Sequence, residues 1–421
     1  MTTKTLKRRE FILHGNLFKV IMMITAPLAM YAVFNYLYGI IDLALVPTIT
    51  AKATVVFYDE MKNAISAFGA GIATAGSVIV GRLYGANKID EARKHAGQTF
   101  WLNLLVCSLV GILVFIFSQV FFVAVGTPSD ILEGLPYFYI QVVTTIVMSV
   151  TTTFVGMEKV KGNTLLVFIL NVAAMAIKIL LSVFFIKVLN LSEVFAALST
   201  LISQVMLMGV SLYLLFRKSN ILKVKLSDIK LQKTVFLPIL ILAIPIFIGK
   251  FLFSIGKVIV SIVAASHYSS DVISAFGVMS KIASVFGNLA MTFEEGQSSI
   301  ISINIGSKQL KRAMLSYPIS IGIAALIGIA GVIFSSIYSH FFMSLFINFE
   351  TDSKEYIEMV YNMFLYERWS TITNALIGIT VAAFIGFKKS FMSTIINIAR
   401  LFVFRIPILL ICVFAFKMNY I

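Results

Sequence analysis

A carboxylate lies within a long apolar stretch near the start of the chain, where a charge is costly. Asp42 is the single acidic residue between Leu17 and Val46. A helix would place Asn35, Tyr38 and Asp42 on one face, because they are spaced three, four and seven positions apart. Since an ionisable group at membrane depth usually faces a water-filled cavity or a bound ion, this face is typical of a cation site. The alternative is that Asp42, one turn from the helix end, lies among the lipid headgroups.

A later apolar run supplies a possible partner for this carboxylate. Asn171 and Lys178 are seven positions apart, so a helix places them on roughly one face. A lysine stem is long enough to bring the Lys178 ammonium to Asp42, where the opposite charge would hold the carboxylate ionised. The alternative is a plain buried ion pair that fixes helix packing.

The second half of the chain carries more charges within apolar runs, and most of them are basic. The candidates for a second polar cavity are Lys250, Lys257, Lys281, Glu294, Glu295, Glu367, Arg368 and Arg400. Pairing with three glutamates leaves cations over, and cations in a low-dielectric cavity would favour an anionic or zwitterionic ligand. The alternative for each single residue is structural pairing, or a side chain that reaches along its stem to the interface.

Composition indicates which elements position these residues. Hydrophobic residues make up 59% of the chain, charged residues 13%, and the mean hydropathy is +0.96. About 20 apolar residues span a bilayer, so the sequence predicts an all-α integral membrane protein. Eleven helices are predicted, at roughly 17–46, 63–82, 97–125, 134–157, 164–187, 192–216, 235–265, 270–304, 314–347, 357–386 and 390–416.

Prolines interrupt two of these helices at matching places. Pro27 lies in the first helix and Pro245 in the seventh. Proline lacks the backbone donor and clashes with the preceding turn, so each helix should bend there unless a neighbour satisfies the freed carbonyl.

The distribution of basic residues predicts the orientation of the helices. Lysines and arginines concentrate in the N-terminal segment and in every second loop after it. Basic loops resist translocation, so the N-terminus is predicted to lie in the cytoplasm of a cell whose plasma membrane the chain crosses many times. The net charge of +15 then reflects topology, and a nucleic-acid partner is not expected.

Two related halves follow from an internal repeat. The segment YGANKIDEA, residues 84–92, matches IGSKQLKRA, residues 305–313, and FVG at 154–156 matches FIG at 384–386. The halves are predicted to be 1–216 and 235–421, joined by a basic linker, 217–234. Six helices per half is an even number, so both halves enter the membrane in the same direction. The second half shows five, so a twelfth helix is apparently missing.

These stretches resemble the multidrug and toxic compound extrusion (MATE) family. The resemblance rests on GNLFKVIMMITAPLAMYAVFNYLYGIIDLALV from Gly15, on GRLYGANKIDEARKHA, and on SSIISINIGSKQLKRAM in the second half. It implies two V-shaped lobes around a central cavity that opens alternately inward and outward. It also implies export of small amphipathic compounds in exchange for protons or sodium ions, with no other cofactor.

The resemblance also implies roles for particular residues. Asp42 matches the carboxylate that the family uses for cation coupling, and Asn171 matches a nearby polar residue. A family glutamate in the second half falls at Phe253, where this chain has none. We therefore expect a monomeric antiporter that contacts membrane lipid and a small-molecule substrate. A lipid-linked saccharide flippase of the same superfamily and a non-functional truncated fragment are the alternatives.

No enzyme signature is present in the sequence. It has no Gly-rich phosphate loop followed by Lys-Ser or Lys-Thr, and no His-Glu-x-x-His metal motif. We therefore expect a protein that is not an enzyme, holds no metal, and draws its energy from an ion gradient.

Overall fold

A computed structural model describes most of the chain as helices. The described residues are 3–45, 49–124, 132–267, 275, 278, 279, 293, 296–344, 347–350 and 352–411. Within these ranges, the side chains of 3–5, 35–45, 49–53, 56, 60, 255 and 257–267 are outside the description. Asn35, Tyr38, Asp42 and Lys257 are therefore placed by their backbone alone. Lys281, Glu294 and Glu295 lie outside the described residues.

The first half of the chain contains seven described α-helices. They are α1 (Thr3–His14), α2 (Leu17–Leu45), α3 (Ile49–Gly85), α4 (Ile89–Ala124), α5 (Leu135–Val160), α6 (Thr164–Val183) and α7 (Val194–Phe216). A π-helical segment, Phe184–Val188, extends α6. A short 3₁₀ turn, Leu226–Ile229, lies in the linker that leads to the second half.

The second half repeats this pattern with more interruptions. Its helices are α8 (Lys233–His267), α9 (296–306), α10 (Leu310–Ile337), α11 (Ser339–Ser344), α12 (Lys354–Glu367), α13 (Ser370–Gly386), α14 (Ser390–Ile398) and α15 (Ile406–Leu410). A π-helical segment, Ala399–Arg405, joins α14 to α15.

The predicted fold class is confirmed. Ten described segments are long and apolar enough to cross a membrane, and the remaining one of the eleven predicted runs, 270–304, falls mostly outside the described residues. The predicted start of the second helix at 63 is wrong, because α3 already begins at Ile49. Asp59 in this extension has partners: it pairs with Lys62 at 3.0 Å and accepts a hydrogen bond from Tyr137 Oη at 3.2 Å.

The turns between helices show the internal repeat directly. Asn87 and Lys308 have positive φ values of 61° and 63°, and they stand 221 positions apart, as Gly85 and Gly306 do. The next pair of corresponding turns places Gly162 and Lys388 at φ 69° and 62°, at an offset of 226. The predicted match of FVG with FIG has an offset of 230, so it is out of register with these turns by about one helical turn. A left-handed residue ends a helix by satisfying its last carbonyls. The same device therefore reverses the chain at matching places in both halves.

These turns, α1 and the linker 217–232 lie together at one end of the bundle, which we call the basic end. Arg8 Nη1 donates to Asn163 Oδ1 at 2.6 Å, and Lys161 Nζ donates to Asn220 Oδ1 at 3.0 Å. Helices α2, α4 and α6 start at this end, whereas α3, α5 and α7 finish there. The alternation matches the predicted direction of each helix.

The proline in α2 is accommodated by a neighbouring helix. Because Pro27 has no backbone N–H, the carbonyl of Met23 loses its usual helical donor. Thr164 Oγ1 at the start of α6 donates to Met23 O at 3.0 Å. In the second half, Thr394 Oγ1 of α14 donates to Pro245 O of α8 at 2.6 Å. In each half, a threonine hydroxyl therefore binds the proline-containing helix to a neighbouring helix. The two neighbours, α6 and α14, occupy equivalent places in the two halves.

Candidate functional site

The two halves meet at the basic end, where α3 and α9 approach each other closely. A methyl group added at Gly85 would lie 2.0 Å from the backbone oxygen of Ile303, and one added at Gly306 would lie 2.0 Å from that of Arg82. These two contacts are related by the repeat, since 82 and 303 share the offset of 85 and 306. The crossing therefore lies on the approximate two-fold axis that relates the halves, and it closes this end of the bundle.

Arginines reinforce the closed end by donating to the exposed carbonyls at helix C-termini. Arg82 Nη2 of α3 donates to Gly386 O, the last residue of α13, at 2.9 Å. Arg312 Nη2 of α10 donates to Ile12 O at 3.1 Å and to Gly15 O at 2.5 Å. The last carbonyls of a helix lack internal partners and carry partial negative charge, so a cation is stabilising there. Both arginines join one half of the chain to the other.

A second cation, Lys388, lies close to the Arg82 hydrogen bond. Lys388 follows α13 by two residues, next to the carbonyl that Arg82 binds. Burial, and secondly the Arg82 guanidinium, lower the pKa of the Lys388 ammonium. A lowered lysine pKa means that the surroundings disfavour its charged form. Lys388 itself is exposed, so water screens its repulsion from Arg82, and the hydrogen bonds dominate at the closed end.

A small recess of about 10 Å³, enough for roughly one water molecule, lies between the halves near the crossing of α3 and α9. Ser77 of α3 and Ser298 of α9 both line it, and they are related by the repeat, so the recess lies near the same approximate axis. Two cations line it as well: Lys159 from α5 and Lys250 from α8. The remaining lining residues are Thr74, Ala382 and Ile385. The recess is thus polar, positively charged and shared by both halves.

Of the residues predicted for the second cavity, the described part of the structure places Lys250 in this recess. Arg400 lies near it, in the π-helical segment after α14, where its guanidinium stacks 4.4 Å from the ring centroid of Phe253 and donates to Asn374 Oδ1 at 2.7 Å. Phe253 is one turn beyond Lys250 on α8. The structure therefore groups these three side chains along one face of α8.

Glu367 and Arg368 lie at the break between α12 and α13, whereas Lys250 lies on α8. Glu367 Oε1 accepts a hydrogen bond from Ser370 Oγ at 2.8 Å, and Arg368 Nη1 donates to Ser336 Oγ at 2.8 Å. Arg368 also lies 5.6 Å from the ring centroid of Trp369. Both residues thus have local hydrogen-bonding roles at a helix break, and their placement in a ligand cavity stays a prediction.

In the first half, the structure places the helices that carry the predicted cation site next to each other. The rings of Phe34 on α2 and Phe168 on α6 are 6.1 Å apart. Asn171, three residues beyond Phe168, is half-buried and donates to Val167 O at 2.8 Å. Lys178 lies further along the same helix and is also half-buried.

Sequence reasoning missed Lys159 and its buried neighbour Glu158, because both precede a predicted loop. Glu158 is 2% exposed; its carboxylate accepts hydrogen bonds from Lys161 Nζ at 2.5 Å and from Asn163 Nδ2 at 2.7 Å. A glutamate among basic residues at a helix end usually indicates a solvated surface.

The buried pair of Glu158 and Lys161 gives a prediction about stability. Replacing Glu158 with Gln leaves a largely buried ammonium without its counter-charge, which costs about 3 kcal/mol when the surroundings do not relax. The variant should unfold at a clearly lower temperature in detergent, as measured by circular dichroism at the helix band. Glu91→Gln is the matched control, because Glu91 pairs with Lys88 at the same spacing on the surface and both side chains are more than half exposed. A lowered unfolding temperature in the control, or none in Glu158→Gln, would contradict this assignment.

A bundle of membrane-spanning helices in two related halves, closed at one end around a shared polar recess, defines the class of the protein. It is a multi-pass membrane transporter. Within that class the chain belongs to the MatE family, whose model matches residues 27–184 and 245–411. The two matches fall one in each half, in agreement with the repeat. Members of this family are transporters and not enzymes.

Relatives with known names agree with this assignment. Over 374 residues the chain is 22% identical to the "Probable multidrug resistance protein YoeA" of Bacillus subtilis (strain 168), a match that covers 86% of this chain and 78% of that protein. The match to the MatE model gives no support to the flippase alternative.

Solved structures of transporters share the fold. One is described as an outward-facing conformation of a multidrug resistance MATE family transporter of the MOP superfamily; it has a TM-score of 0.86 and 19% identity over 95% of this chain and 89% of that one. Another is the crystal structure of MATE in complex with MaD3S, with a TM-score of 0.89 and 20% identity over 97% and 91% of the two chains. At such identities the likeness shows the fold alone.

Proposed function

We propose that the chain is a secondary active transporter that exports small amphipathic compounds by antiport with protons or sodium ions. The observation that carries the proposal is the closed crossing of α3 and α9 beneath a polar recess shared by two repeat-related halves. We call this crossing, in which Gly85 and Gly306 lie against the opposite backbone, the seam. Alternating access needs such a contact, because a cavity between two bundles opens to one side when the bundles rock apart on that side. The name of the Bacillus relative supports drug-like substrates.

The basic end faces the cytoplasm in this proposal. Positively charged loops stay on the cytoplasmic side of a membrane, and the turns, α1 and the linker at this end are rich in lysine and arginine. The structure then corresponds to a state closed on the cytoplasmic side. The chain would act in the plasma membrane as a monomer surrounded by lipid, with the coupling ion as its one cofactor.

Asp42 is the proposed coupling carboxylate, and the packing of α2 against α6 supports Lys178 as its partner. Two contacts fix how these parallel helices align: Met23 with Thr164, and Phe34 with Phe168. Position 42 lies beyond both contacts on α2, so we count the same number of residues along α6 from each partner. Counting from Thr164 places position 42 level with 183, and counting from Phe168 places it level with 176. Lys178 falls between these two levels.

An acid and a base at one level in a membrane protein make a simple coupling device. The ammonium of Lys178 favours ionised Asp42, so a proton or sodium ion must compete with it for the carboxylate. Ion binding therefore releases Lys178, and departure of the ion restores the pair. We propose that this exchange biases the first lobe between its two arrangements.

The experiment is a transport measurement on purified protein in liposomes, with an imposed pH or sodium gradient and a fluorescent amphipathic dye. Replacing Asp42 with Asn removes the titratable, ion-binding group and keeps the side-chain size. We expect gradient-driven transport to fall at least about tenfold, since a carboxylate lost from an intramembrane coupling site has no nearby substitute.

The matched control is Asp90→Asn, because Asp90 forms a surface ion pair with Arg93 and its side chain is 95% exposed. This variant should transport at the rate of the unmodified protein. Equal gradient-driven transport by the Asp42 and Asp90 variants would remove Asp42 from the mechanism.

A further inference from the structure

We propose that the turn in the linker between the halves, residues 225–230, is a docking surface for anionic phospholipid at the basic end. We call it the linker turn. Its lysines bind lipid phosphates, while Leu226 and Ile229 enter the headgroup layer. The inference is independent of the proposed antiport, because it concerns how the chain contacts its membrane and not what it transports.

The linker turn is held against the first turns of α4. Trp101 Nε1 donates to Lys225 O at 3.1 Å, and Gln98 Nε2 donates to Lys230 O at 3.2 Å. These bonds fix the backbone at both ends of the turn, whereas Lys225 and Lys230 themselves stay exposed. The linker turn therefore has a defined depth relative to α4.

The side of α4 that carries the linker turn continues as a lipid-facing side. A methyl group added at Gly97 would lie 2.0 Å from the Asp228 carboxylate, whereas Leu105 and Leu109 are more than half exposed. Gly97, Trp101, Leu105 and Leu109 are spaced four positions apart, so they share one face of the helix. The contacts at Gly97 and Trp101 precede Leu105 by about 12 Å and about 6 Å along the helix axis. Since the headgroup region on each side of a bilayer is about 5–7 Å thick, the linker turn lies level with the headgroups.

Aromatic residues mark the same boundary. Tyr213 of α7 is exposed, and the Arg217 guanidinium lies 5.9 Å from its ring centroid. Tryptophan and tyrosine concentrate at membrane–water interfaces, because each has an apolar ring and a polar tip. Trp101 beneath the linker turn and Tyr213 just before the linker therefore indicate the interface independently of the leucines.

The linker carries positive charge that the described acids do not neutralise. From Arg217 to Lys233 the chain has six basic residues and one acid, Asp228, which leaves a surplus of five. The Asp228 carboxylate accepts the backbone N–H of Lys225 at 2.9 Å. The other acids of the neighbouring turns and of α1 pair with bases of their own, namely Asp90 with Arg93, Glu91 with Lys88, Glu158 with Lys161, and Glu10 with Arg9. Within the described part of the chain, neither Lys225 nor Lys230 has an ion pair. These ammonium groups therefore attract anions.

Two large apolar side chains are exposed beside these lysines. Leu226 is 72% and Ile229 57% exposed. They stand three positions apart in a 3₁₀ turn, so both lie on the same side of it. Apolar side chains flanked by lysines at headgroup depth are the combination that binds an anionic membrane surface. An acidic peptide would match the charge, but it would leave the apolar pair uncovered.

The test uses Trp101 as an internal reporter. The chain has two tryptophans, so Trp369→Phe leaves Trp101 alone. This full-length chain is reconstituted into phosphatidylcholine liposomes with increasing fractions of phosphatidylglycerol or, in parallel, phosphatidylcholine, brominated near the head of the acyl chain. Bromine quenches tryptophan fluorescence on contact. We expect phosphatidylglycerol to bind beside Trp101 about tenfold more tightly than phosphatidylcholine, because each lysine near an anionic surface contributes about fivefold.

Paired substitutions separate the linker turn from the general charge of the basic end. Lys225→Gln together with Lys230→Gln should lower the preference for phosphatidylglycerol at least about fivefold. Lys308→Gln together with Lys311→Gln is the matched control, since it removes two exposed lysines from the basic end of the second half. This control should leave the quenching of Trp101 unchanged. Equal quenching by the two brominated lipids, or an unaltered preference in the Lys225 and Lys230 variant, would overturn the proposal.

A second measurement follows the apolar pair. Leu226→Cys, in a chain with Cys107→Ser and Cys412→Ser, is labelled with nitrobenzoxadiazole, whose emission shifts to the blue in apolar surroundings. We expect this shift in liposomes that contain phosphatidylglycerol, and emission typical of water for the same label at Ser219→Cys, an exposed position of the linker. Emission typical of water at both positions would contradict insertion of Leu226. A blue shift that requires added polyglutamate would instead assign the linker turn to an acidic polypeptide and eliminate the lipid.

Discussion

Replacing Gly85 or Gly306 with Ala should prevent the halves from closing at the basic end. The added methyl group would lie 2.0 Å from a backbone oxygen in either case, and backbone, unlike a flexible side chain, cannot rotate away. Overpacking costs typically 1–3 kcal/mol, and the rigid partner places this site near the upper end, about 3 kcal/mol. The equilibrium between closed and open states should then shift about a hundredfold.

The measurement is thiol labelling at Ser302, which lies opposite Gly81 in the same seam. Ser302→Cys is introduced into a chain with Cys107→Ser and Cys412→Ser, and a maleimide that cannot cross the membrane is added at the basic end. Labelling should be slow in this background and fast when Gly85→Ala or Gly306→Ala is added. Transport in liposomes should fall with either alanine, because the seal at the basic end is lost.

Gly209 of α7 and Gly322 of α10 supply the matched controls, since a methyl group added there would meet no atom of a neighbouring helix within 4 Å. Gly209→Ala and Gly322→Ala should slightly stabilise their helices, because alanine has the higher helix propensity. Neither should alter labelling at position 302. Equal labelling rates in the seam variants and these controls would show that the close crossing does not hold the end shut.

Much of this seam was predictable from the repeat. The sequence match of Gly85 with Gly306 locates two equivalent glycines at the ends of equivalent helices, and two-fold related positions near the axis necessarily meet their counterparts. The structure adds what the pattern cannot contain, namely that each glycine meets the carbonyl three residues before the other glycine. Sequence similarity indicates which positions correspond, whereas their separation depends on how the two halves pack.

The limits of the sequence are clearest at helix boundaries. Asp59 and Lys62 read as a polar loop, yet they belong to α3 because Tyr137 and Gln141 of α5 provide hydrogen bonds for the carboxylate. Lys159 reads as a surface lysine at the end of α5, yet it lines the recess. In both cases the decisive partner is distant in sequence, and hydropathy along one chain segment carries no information about it.

The arginines of the basic end form a system that links the seam to the N-terminal helix. Arg9 of α1 donates to Tyr84 O at 3.1 Å and to Gly85 O at 3.0 Å, the final carbonyls of α3. Arg312 of α10 in turn donates to Ile12 O in the last turn of α1 and to Gly15 O just after that helix. Helix α1 is therefore held between the seam glycine of one half and an arginine of the other.

Apolar packing reinforces this placement. Ile12 and Leu13 are buried in a cluster that includes Ile21 and Ile24 of α2 together with Ile303 of α9. A helix that contacts both halves loses part of its contacts whenever they separate. Closure of the basic end and docking of α1 are therefore one event. The arginine hydrogen bonds orient α1, and burial of the isoleucine side chains stabilises it there.

Replacing Arg312 with Met should undock α1. The variant keeps an unbranched apolar side chain but removes the hydrogen bonds that the charged guanidinium makes to Ile12 O and Gly15 O, at a combined cost of about 3 kcal/mol. The measurement is amide hydrogen exchange followed by mass spectrometry, in which peptides covering residues 6–15 should exchange about a hundredfold faster. Lys311→Met, at an exposed neighbouring position, is the control and should leave this exchange unchanged.

A second substitution separates the geometry of the guanidinium from its charge. Arg312→Lys keeps the positive charge beside the end of α1 but loses the planar guanidinium, whose Nη2 donates to both carbonyls. Its exchange should therefore lie between those of the unmodified protein and Arg312→Met. If α1 remained protected in Arg312→Met, the isoleucines alone would hold it. Separation of the halves would then be opposed by packing, with the arginine acting only as a cap on the helix end.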